Sequence, residues 1–503
     1  MAGEKPLAYS VLLNGLLKAL SFIFPVIAFP YASRILLPEG IGKVSFATSA
    51  LAYFTMLAQM GVPTYGIQAC AKVADNKEEL SRTVHELWLI SLVTMSLSYS
   101  IFFGLLAVVP RLQNDRGLFL AMGTMAFLKV IGTEWLYQAL EQYPYLTKTS
   151  LIFKAIAILA LFIMVRDRQD YICYGVLLVF ASYAPGIINF VHVRKYIYVK
   201  FLGNYHIKHH VKQIVVLFAV SCASMVYTNM DTVMLGMIKD TKEVGYYNTA
   251  VNVKEVLVSF VTAAGMVLLP RMSSYIEKGM EEKFKEIYKK AIHTMLCAAF
   301  PVAVYFIIFA KESITLISGP AFLNSVLPMQ IIMPTVLLIG LTNIIGIQAF
   351  VAMGREKDTL HSVLVGVAAD LALNSILIPL YGAAGAAIGT FVAETAVFLV
   401  QYGYIKEAAG RPFEGVCWKK LIKACFVGMI ASLWIKPVNL PAVFSLIFSA
   451  ILFFGSYIGM LLWQKEPAAM ELLRMAGAAR NCKEIDYLPF LKKRRKKRDK
   501  EEG

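Results

Sequence analysis

Residues 87–110 read LWLISLVTMSLSYSIFFGLLAVVP, without a single charged side chain. As an α-helix, this stretch is long enough to cross the hydrocarbon core of a bilayer, which is about 30 Å thick. Further charge-free stretches of this kind lie at 44–71, 171–193, 371–393 and 437–464. Together with the apolar periodicity between them, they predict an all-α polytopic membrane protein with about fourteen transmembrane helices.

The overall composition agrees with a membrane protein and excludes several other classes. Of the 503 residues, 58% are hydrophobic and 16% are charged, so a water-soluble core of this size would lack a polar surface. The seven cysteines are scattered without a C-x-x-C pair, which predicts neither a disulfide framework nor a metal site. The chain also lacks the GxxxxGK phosphate loop of ATP-driven exporters. We therefore expect no metal, no bound cofactor and no enzymatic activity.

The 49 Lys and Arg residues are concentrated in every second gap between the apolar stretches. By the positive-inside rule these gaps are cytoplasmic, which places both termini in the cytoplasm. The net charge of +16 is therefore explained by orientation and by contact with anionic lipids rather than by nucleic acid. The basic run KKRRKKR at 492–498 is predicted to be a solvated tail that lies against the inner leaflet.

A weak internal repeat divides the chain. The segment PEGIGKVSFATSA at 38–50 and the segment TKEVGYYNTAVNV at 241–253 both follow the first span of a predicted six-span unit. We therefore predict two halves of like orientation, followed by two further spans and a cytoplasmic basic tail. Their predicted bounds are 1–203 and 204–412 for the halves, 413–464 for the two spans and 465–503 for the tail.

Several segments together resemble a known family. They are SRILLPEGIG (33–42), WLYQALEQYPYLT (135–147), NMDTVMLG (229–236), VGYYN (244–248) and YGAAGAAIGTFVAE (381–394). In this order they are similar to the polysaccharide-synthesis flippases of the multidrug/oligosaccharidyl-lipid/polysaccharide exporter superfamily. The resemblance implies a V-shaped pair of six-helix lobes around a central cavity, plus two extra C-terminal helices.

The resemblance also implies a function. Such flippases move an undecaprenyl-pyrophosphate-linked oligosaccharide from the inner to the outer leaflet of the bacterial cytoplasmic membrane. The expected partners are this lipid-linked oligosaccharide, membrane lipids and, in a glycan-assembly pathway, a polysaccharide polymerase and glycosyltransferases.

Basic residues within the spans are the candidate substrate ligands, because ionisable groups at membrane depth are rare and costly. Pyrophosphate brings about two negative charges that must be compensated inside the protein. The candidates are Lys18, Lys129, Lys154, Lys254 and Arg34 for the phosphates, with Asn252 on a polar stripe for the sugars. The alternative is structural: Lys129 with Glu134, or Lys254 with Glu255, as packing ion pairs.

Acidic residues in the second half suggest a different role. Asp231, Asp370 and Glu394 are predicted to bind a proton or Na⁺ whose re-entry drives alternating access, since carboxylates in apolar cavities can titrate near neutral pH. The alternative is that Asp231 bonds to neighbouring helices and that Asp370 with Asn374 forms a helix–helix clasp.

Three other functions remain open on the sequence. A multidrug/cation antiporter of the same superfamily would need acidic or aromatic cavity walls, whereas the lysines favour an anionic ligand. A flippase for the peptidoglycan lipid precursor shares the pyrophosphate chemistry. A membrane scaffold of a glycan-assembly complex would transport nothing.

Overall fold

The computed structural model describes residues 7–263, 268–438, 440–467 and 470, without the side chains of residues 7–23 and of Ala263. All regular elements in these ranges are helices. The first half contains α1 (Leu7–Gln59), α2 (Val62–Lys72), α3 (Lys77–Val108), α4 (Pro110–Gln113), α5 (Arg116–Ile131), α6 (Glu134–Ala139), α7 (Tyr143–Met164), α8 (Tyr171–Tyr183) and α9 (Pro185–His192).

The second half and the C-terminal part continue this pattern. They contain α10 (Ile207–Ile238), α11 (Thr241–Ala263), α12 (Leu268–Glu277), α13 (Glu281–Ile308), α14 (Ala310–Ser318), α15 (Val326–Ile332), α16 (Thr335–Thr342), α17 (Glu356–Tyr381), α18 (Ala383–Ala409), α19 (Trp418–Leu433) and α20 (Ala442–Trp463). Short 3₁₀ helices lie at Val193–Lys195, Pro320–Ser325 and Lys436–Val438, and a π-helix spans Asn343–Phe350.

Among the described residues, 11 helices are long and apolar enough to cross a membrane, or 12 if the bent pair Pro320–Ile332 and Thr335–Phe350 is one span. The count is lower than the predicted fourteen for two reasons. The first two predicted spans form one bent helix, α1, and continue into α2. The predicted eighth span is α11, which is not among the apolar helices because polar residues such as Asn248, Lys254 and Glu255 interrupt it.

The bend in α1 lies at Leu37, whose φ of 59° and ψ of 178° are not helical. Pro38 follows directly, and proline cannot donate the backbone hydrogen bond that would continue the helix. The bend therefore sits inside the segment SRILLPEGIG and separates the two predicted spans.

The two repeat segments meet at this bend, in a contact that we call the outer seam (Pro38–Gly42 against Thr241–Gly245) because the charge pattern predicts this side to be outside. A Cβ atom on Gly42 would lie 1.6 Å from the carbonyl oxygen of Thr241, and one on Gly245 would lie 2.1 Å from that of Pro38. Only glycine permits such a close approach of two backbones. The first and second halves are therefore in direct contact through α1 and α11.

Small residues also set the packing inside the second half. Gly385 in α18 leaves room for the carbonyl oxygen of Leu377, which would be 2.2 Å from a Cβ. One turn later, a Cβ on Gly389 would lie 2.1 Å from Oδ1 of Asn374. The segment YGAAGAAIGT therefore brings α18 against α17 and places polar side chains of both helices in one interior.

Candidate functional site

The first half contains a polar cavity of about 540 Å³ between α1, α5, α7 and α8. Lys129, at the end of α5, and Glu134, at the start of α6, form an ion pair with Nζ 2.9 Å from Oε2. Thr133 between them has a φ of 40°, so the chain turns sharply and returns Glu134 to Lys129. The predicted pair thus exists, and both of its members line the cavity.

Lys154 of α7 lines the same cavity and is close enough to Glu134 for their charges to interact. Among the side chains that the structure describes, two cations and one carboxylate line this cavity. Asn189 is buried, and its Oδ1 has no hydrogen-bond donor among the described residues. The remaining polar lining consists of Gln138, Tyr143, Thr149, Ser150, Ser182 and Tyr183. Such a wall offers many hydrogen-bonding groups to a hydroxyl-rich ligand.

Lys129 also faces a second space, a cavity of about 320 Å³ between the two halves. Tyr183 is shared by both cavities, and its ring centroid lies 5.9 Å from the Lys129 ammonium. On the opposite side this central cavity is lined by Ser221 and Met225 of α10. Lys129 is therefore placed where the first-half cavity and the space between the halves adjoin.

An acidic cavity of about 430 Å³ is lined mostly by residues of the second half, among them Asp231 of α10. The carboxylate accepts three hydrogen bonds: from Tyr247 OH at 2.5 Å, Thr390 Oγ1 at 2.8 Å and Asn374 Nδ2 at 2.8 Å. These donors belong to α11, α18 and α17, so one buried carboxylate joins four helices. Asp231 therefore forms the bonds to neighbouring helices that the structural alternative predicts, and it also lines a cavity.

Asp370 lines this cavity as well, close enough to Asp231 for the two charges to interact. It is only 4% exposed, and its Oδ1 has no hydrogen-bond partner among the described residues. A buried carboxylate oxygen without a donor is costly unless a proton or a cation occupies the site. No group of three His, Cys, Asp or Glu in the described part of the chain is arranged to hold a metal ion.

Glu394 and Lys254 complete the wall of the acidic cavity. Lys254 is buried and pairs with Glu255 at 2.9 Å, and its charge also interacts with that of Glu394. Lys254 thus interacts with two carboxylates, whereas Lys129 and Lys154 share one, Glu134. The cavity as a whole is lined by four carboxylates and one lysine.

The other candidate residues lie elsewhere. Arg34 is exposed and donates to the carbonyl oxygen of Leu316 in α14 at 2.6 Å, which ties α1 to the second half. Asn252 is exposed and lines neither the first-half cavity nor the acidic cavity. Lys18 lies in α1, but its side chain is outside the described residues.

Tyr247, Thr390 and Tyr183 were not singled out as candidates from the sequence. Tyr247 and Thr390 are inside the segments VGYYN and YGAAGAAIGTFVAE, so the motifs pointed to the right helices. That their hydroxyls donate hydrogen bonds to Asp231 is recognisable only when the packing of α10, α11 and α18 is known.

Two family models match the chain. The model of polysaccharide biosynthesis proteins matches residues 7–276, and the MatE model matches residues 217–376. A protein named an O-antigen transporter in Escherichia coli (strain K12) is 22% identical over 391 residues, covering 77% of this chain and 93% of that protein. A glycan biosynthesis flippase, so named, of Haloferax volcanii is 23% identical over 47% of this chain and 49% of its own length.

Two solved structures share the fold. The lipid II flippase MurJ in an inward closed conformation superimposes with a TM-score of 0.70, 14% identity and coverage of 91% of this chain and 99% of MurJ. An inward-facing multidrug resistance MATE transporter of the MOP superfamily superimposes with a TM-score of 0.59 and 14% identity. The match covers 78% of this chain and 95% of the transporter. Together with the all-helical structure, the likeness to these two folds confirms the predicted fold class.

Proposed function

This chain belongs to the polysaccharide biosynthesis protein family, and we propose that it is a flippase for lipid-linked oligosaccharide repeat units. We propose further that it moves them from the inner to the outer leaflet of the bacterial cytoplasmic membrane by ion-coupled alternating access. The similarity to O-antigen transporters over most of the chain supports the substrate class. The superfamily fold supports the transport mechanism.

The observation on which the proposal mainly rests is the separation of charge between the two halves. The first-half cavity has an excess of cations, through Lys129 and Lys154, whereas the cavity around Asp231 has an excess of carboxylates. An anionic substrate and a coupling cation need opposite electrostatic environments, and each of the two cavities supplies one of them.

In this mechanism Lys129 and Lys154 compensate the pyrophosphate. Lys129 is paired with Glu134 in the structure, so arriving phosphate would compete for an ammonium group that is already held in place. A lysine binds phosphate as a hydrated point charge, which suits a ligand that must also leave. Lys18 and Arg34, with Lys254 in the second half, remain further candidates for phosphate contacts, and Asn252 for the sugars.

Coupling is assigned to Asp231, Asp370 and Glu394. Asp231 is held by three donors, while the Oδ1 atom of Asp370 lacks one, so a proton or Na⁺ would satisfy Asp370 first. Neutralising this site removes the cost of keeping several buried carboxylates in one cavity, and this free energy can favour one arrangement of the halves.

The same proposal covers the surroundings of the protein. Both termini are assigned to the cytoplasm, and the basic tail to the inner membrane surface. A polysaccharide polymerase and glycosyltransferases are the expected functional partners, because the translocated unit must be assembled inside and polymerised outside.

The test is reconstitution into liposomes with a fluorescent undecaprenyl-pyrophosphate-linked oligosaccharide, followed by quenching of outer-leaflet dye. Lys129→Gln and Lys154→Gln should each reduce the flipping rate about tenfold or more, since a charged hydrogen bond is worth about 1.5–3 kcal/mol. Lys148→Gln, an exposed position in the same helix as Lys154, is the matched control and should flip normally. Equal rates in all variants would refute the role of the cationic cavity.

Coupling needs its own measurement. Asp370→Asn should abolish the dependence of flipping on an imposed proton or Na⁺ gradient, because the amide cannot exchange a proton or offer a charge. Ser375→Ala, an exposed site in the same helix, is the control and should keep the gradient dependence. If the gradient that stimulates the unmodified protein stimulates Asp370→Asn to the same extent, this carboxylate is not the coupling site.

One observation favours a second candidate, a cation antiporter. The cavity around Asp231 is lined by four carboxylates and by Tyr227 and Tyr247, which is the type of wall that an organic cation requires. The same liposomes therefore also receive ethidium. Ethidium efflux without any flipping of the oligosaccharide lipid would support the antiporter and overturn the flippase.

A further inference from the structure

The outer seam borders another polar cavity, which shares no lining residue with the three cavities described above. Its volume is about 500 Å³, and residues of both halves line it. Lys43 of α1 and Arg168 of the turn before α8 come from the first half, and Lys242 of α11 comes from the second. The charge pattern assigns this surface to the outside, where basic residues are few, so three cations around one cavity are unusual.

Two of these cations are not neutralised. Lys43 Nζ lies 3.2 Å from Asp115 Oδ1 and 3.8 Å from Glu39 Oε1, and Glu39 is the carboxylate that lines the cavity. Arg168 and Lys242 are exposed and form no ion pair within the described part of the chain. The cavity therefore presents uncompensated positive charge from both sides of the seam.

The turn that presents Arg168 is held in a defined conformation. The Asp170 carboxylate accepts hydrogen bonds from the backbone N–H groups of Arg166 and Asp167, at 2.9 and 2.8 Å. These bonds stabilise the charged carboxylate and therefore lower the pKa of Asp170 below its ordinary value. A preorganised turn reduces the entropy that a ligand of Arg168 must overcome.

The remaining wall suits a sugar ring. Tyr171 and Tyr246 contribute aromatic faces from the two halves, and Gln169 contributes an amide. Tyr171 is fixed by a hydrogen bond to Asp115 Oδ1 at 3.1 Å and by Lys43, whose ammonium lies 4.8 Å from the ring centroid. Aromatic faces pack against the C–H groups of sugars, while amide and guanidinium groups bind hydroxyl, carboxylate or phosphate oxygens.

We propose that this cavity is an outer binding site for an anionic saccharide, a sugar that carries a carboxylate or a phosphate. The assignment to the outer face rests on the proposed function, and the ligand would be a translocated unit or a glycan already outside. Because both halves form the cavity beside the closed seam, a bound saccharide must favour the closed seam over an open one.

The experiment uses the full chain in lipid nanodiscs and isothermal titration with trigalacturonic acid, with maltotriose as the neutral probe. The unmodified protein should bind the acidic trisaccharide in a salt-dependent manner and should bind maltotriose at least tenfold more weakly. The double variant Arg168→Gln, Lys242→Gln should lose tenfold or more in affinity. The matched control Arg116→Gln, Lys311→Gln removes two exposed basic residues outside the cavity and should bind as the unmodified protein does.

Several results would overturn this inference. The unmodified protein does not bind trigalacturonic acid, or the Arg168→Gln, Lys242→Gln variant binds it equally well, or the control variant loses as much affinity as that variant does. Flipping of an undecaprenyl-pyrophosphate-linked oligosaccharide with uncharged sugars, measured in liposomes made from the same purified protein, separates the two proposals. Normal flipping without trisaccharide binding defeats only this inference, whereas specific binding without flipping defeats only the proposed function.

Discussion

Glu86 of α3 accepts a hydrogen bond from His210 of α10 across the boundary between the two halves, with Oε2 2.7 Å from Nε2. The other ring nitrogen of His210 lies 2.7 Å from Tyr65 OH, and the second carboxylate oxygen of Glu86 accepts the backbone N–H of His206 at 2.5 Å. Glu86 and His210 are both buried. The halves are thus joined near the predicted cytoplasmic ends of α3 and α10, as well as at the outer seam.

Glu86→Gln should loosen this inner contact. The amide oxygen of Gln can accept from only one of the two donors, so its NH₂ group would face the other, either the backbone N–H of His206 or Nε2 of His210. An unsatisfied buried group costs about 1–3 kcal/mol. The reporter is Ser221→Cys, which lines the central cavity, in an otherwise cysteine-free protein. In inverted vesicles, this cysteine should react with an impermeant maleimide about 5- to 100-fold faster when Glu86→Gln is present than when it is absent. Glu78→Gln alters an exposed carboxylate of the same helix and should leave the rate unchanged. Identical rates for both variants would show that the Glu86–His210 contact does not hold the inner side closed.

Gly389→Ala should destabilise the second half. Alanine normally improves a helix by about 1 kcal/mol, but here its Cβ would lie 2.1 Å from Asn374 Oδ1, so the buried amide of Asn374 must move from its place or α18 must move from α17. We expect a lower melting temperature in detergent and loss of flipping, because Asn374 also donates to Asp231. Gly403→Ala in the same helix meets nothing within 4 Å and should melt at or slightly above the unmodified temperature. A melting temperature for Gly389→Ala at or above that of Gly403→Ala would contradict the close packing.

The membrane architecture could be predicted from the sequence because bilayer thickness and backbone hydrogen bonding restrict a spanning segment to a long apolar helix. Stretches such as 87–110 satisfy that requirement on their own. Helix α11 shows the limit of this reasoning, since its polar residues lower its hydropathy as an isolated span, while Tyr247 and Asn248 find hydrogen-bond partners in Asp231 and Thr232 of α10.

The candidate site was predictable in part, for a physical reason. Lys129 and Glu134 are close in sequence, so their pairing could be weighed in advance, and the structure shows it at 2.9 Å. Asp231 and Thr390 are far apart in sequence, and their hydrogen bond depends on the approach of α18 to α10. The sequence places Asn252 on a polar face of its own helix, but it does not tell which helices or cavities that face meets. In the structure the Asn252 side chain is exposed.

The orientation of the chain can be tested by labelling single cysteines in intact cells. Cysteines replacing Asn114, Asp240 and Asn324 should react with an impermeant reagent, because the charge pattern places these exposed residues outside. Those replacing Asn76, Glu282, Lys357 and Glu414, which are also exposed, should react only after permeabilisation. Reaction of the second set in intact cells would show that the proposed topology is inverted or that one of its spans does not cross the membrane.

Gly245→Ala should open the outer seam. The new Cβ would lie 2.1 Å from the carbonyl oxygen of Pro38, a backbone atom that cannot rotate away as a flexible side chain could. The helix itself gains from alanine, so any opening must come from the contact between the halves.

Ser49→Cys reports the change, because Ser49 is buried and lines the cavity that contains Asp231. We expect this cysteine to react at least about fivefold faster with an impermeant reagent added outside, since overpacking costs about 1–3 kcal/mol. Gly104→Ala, which meets nothing within 4 Å, should leave the rate unchanged. If Ser49→Cys reacts no faster with Gly245→Ala than with Gly104→Ala, the Pro38–Gly245 contact is not the element that closes the outer side.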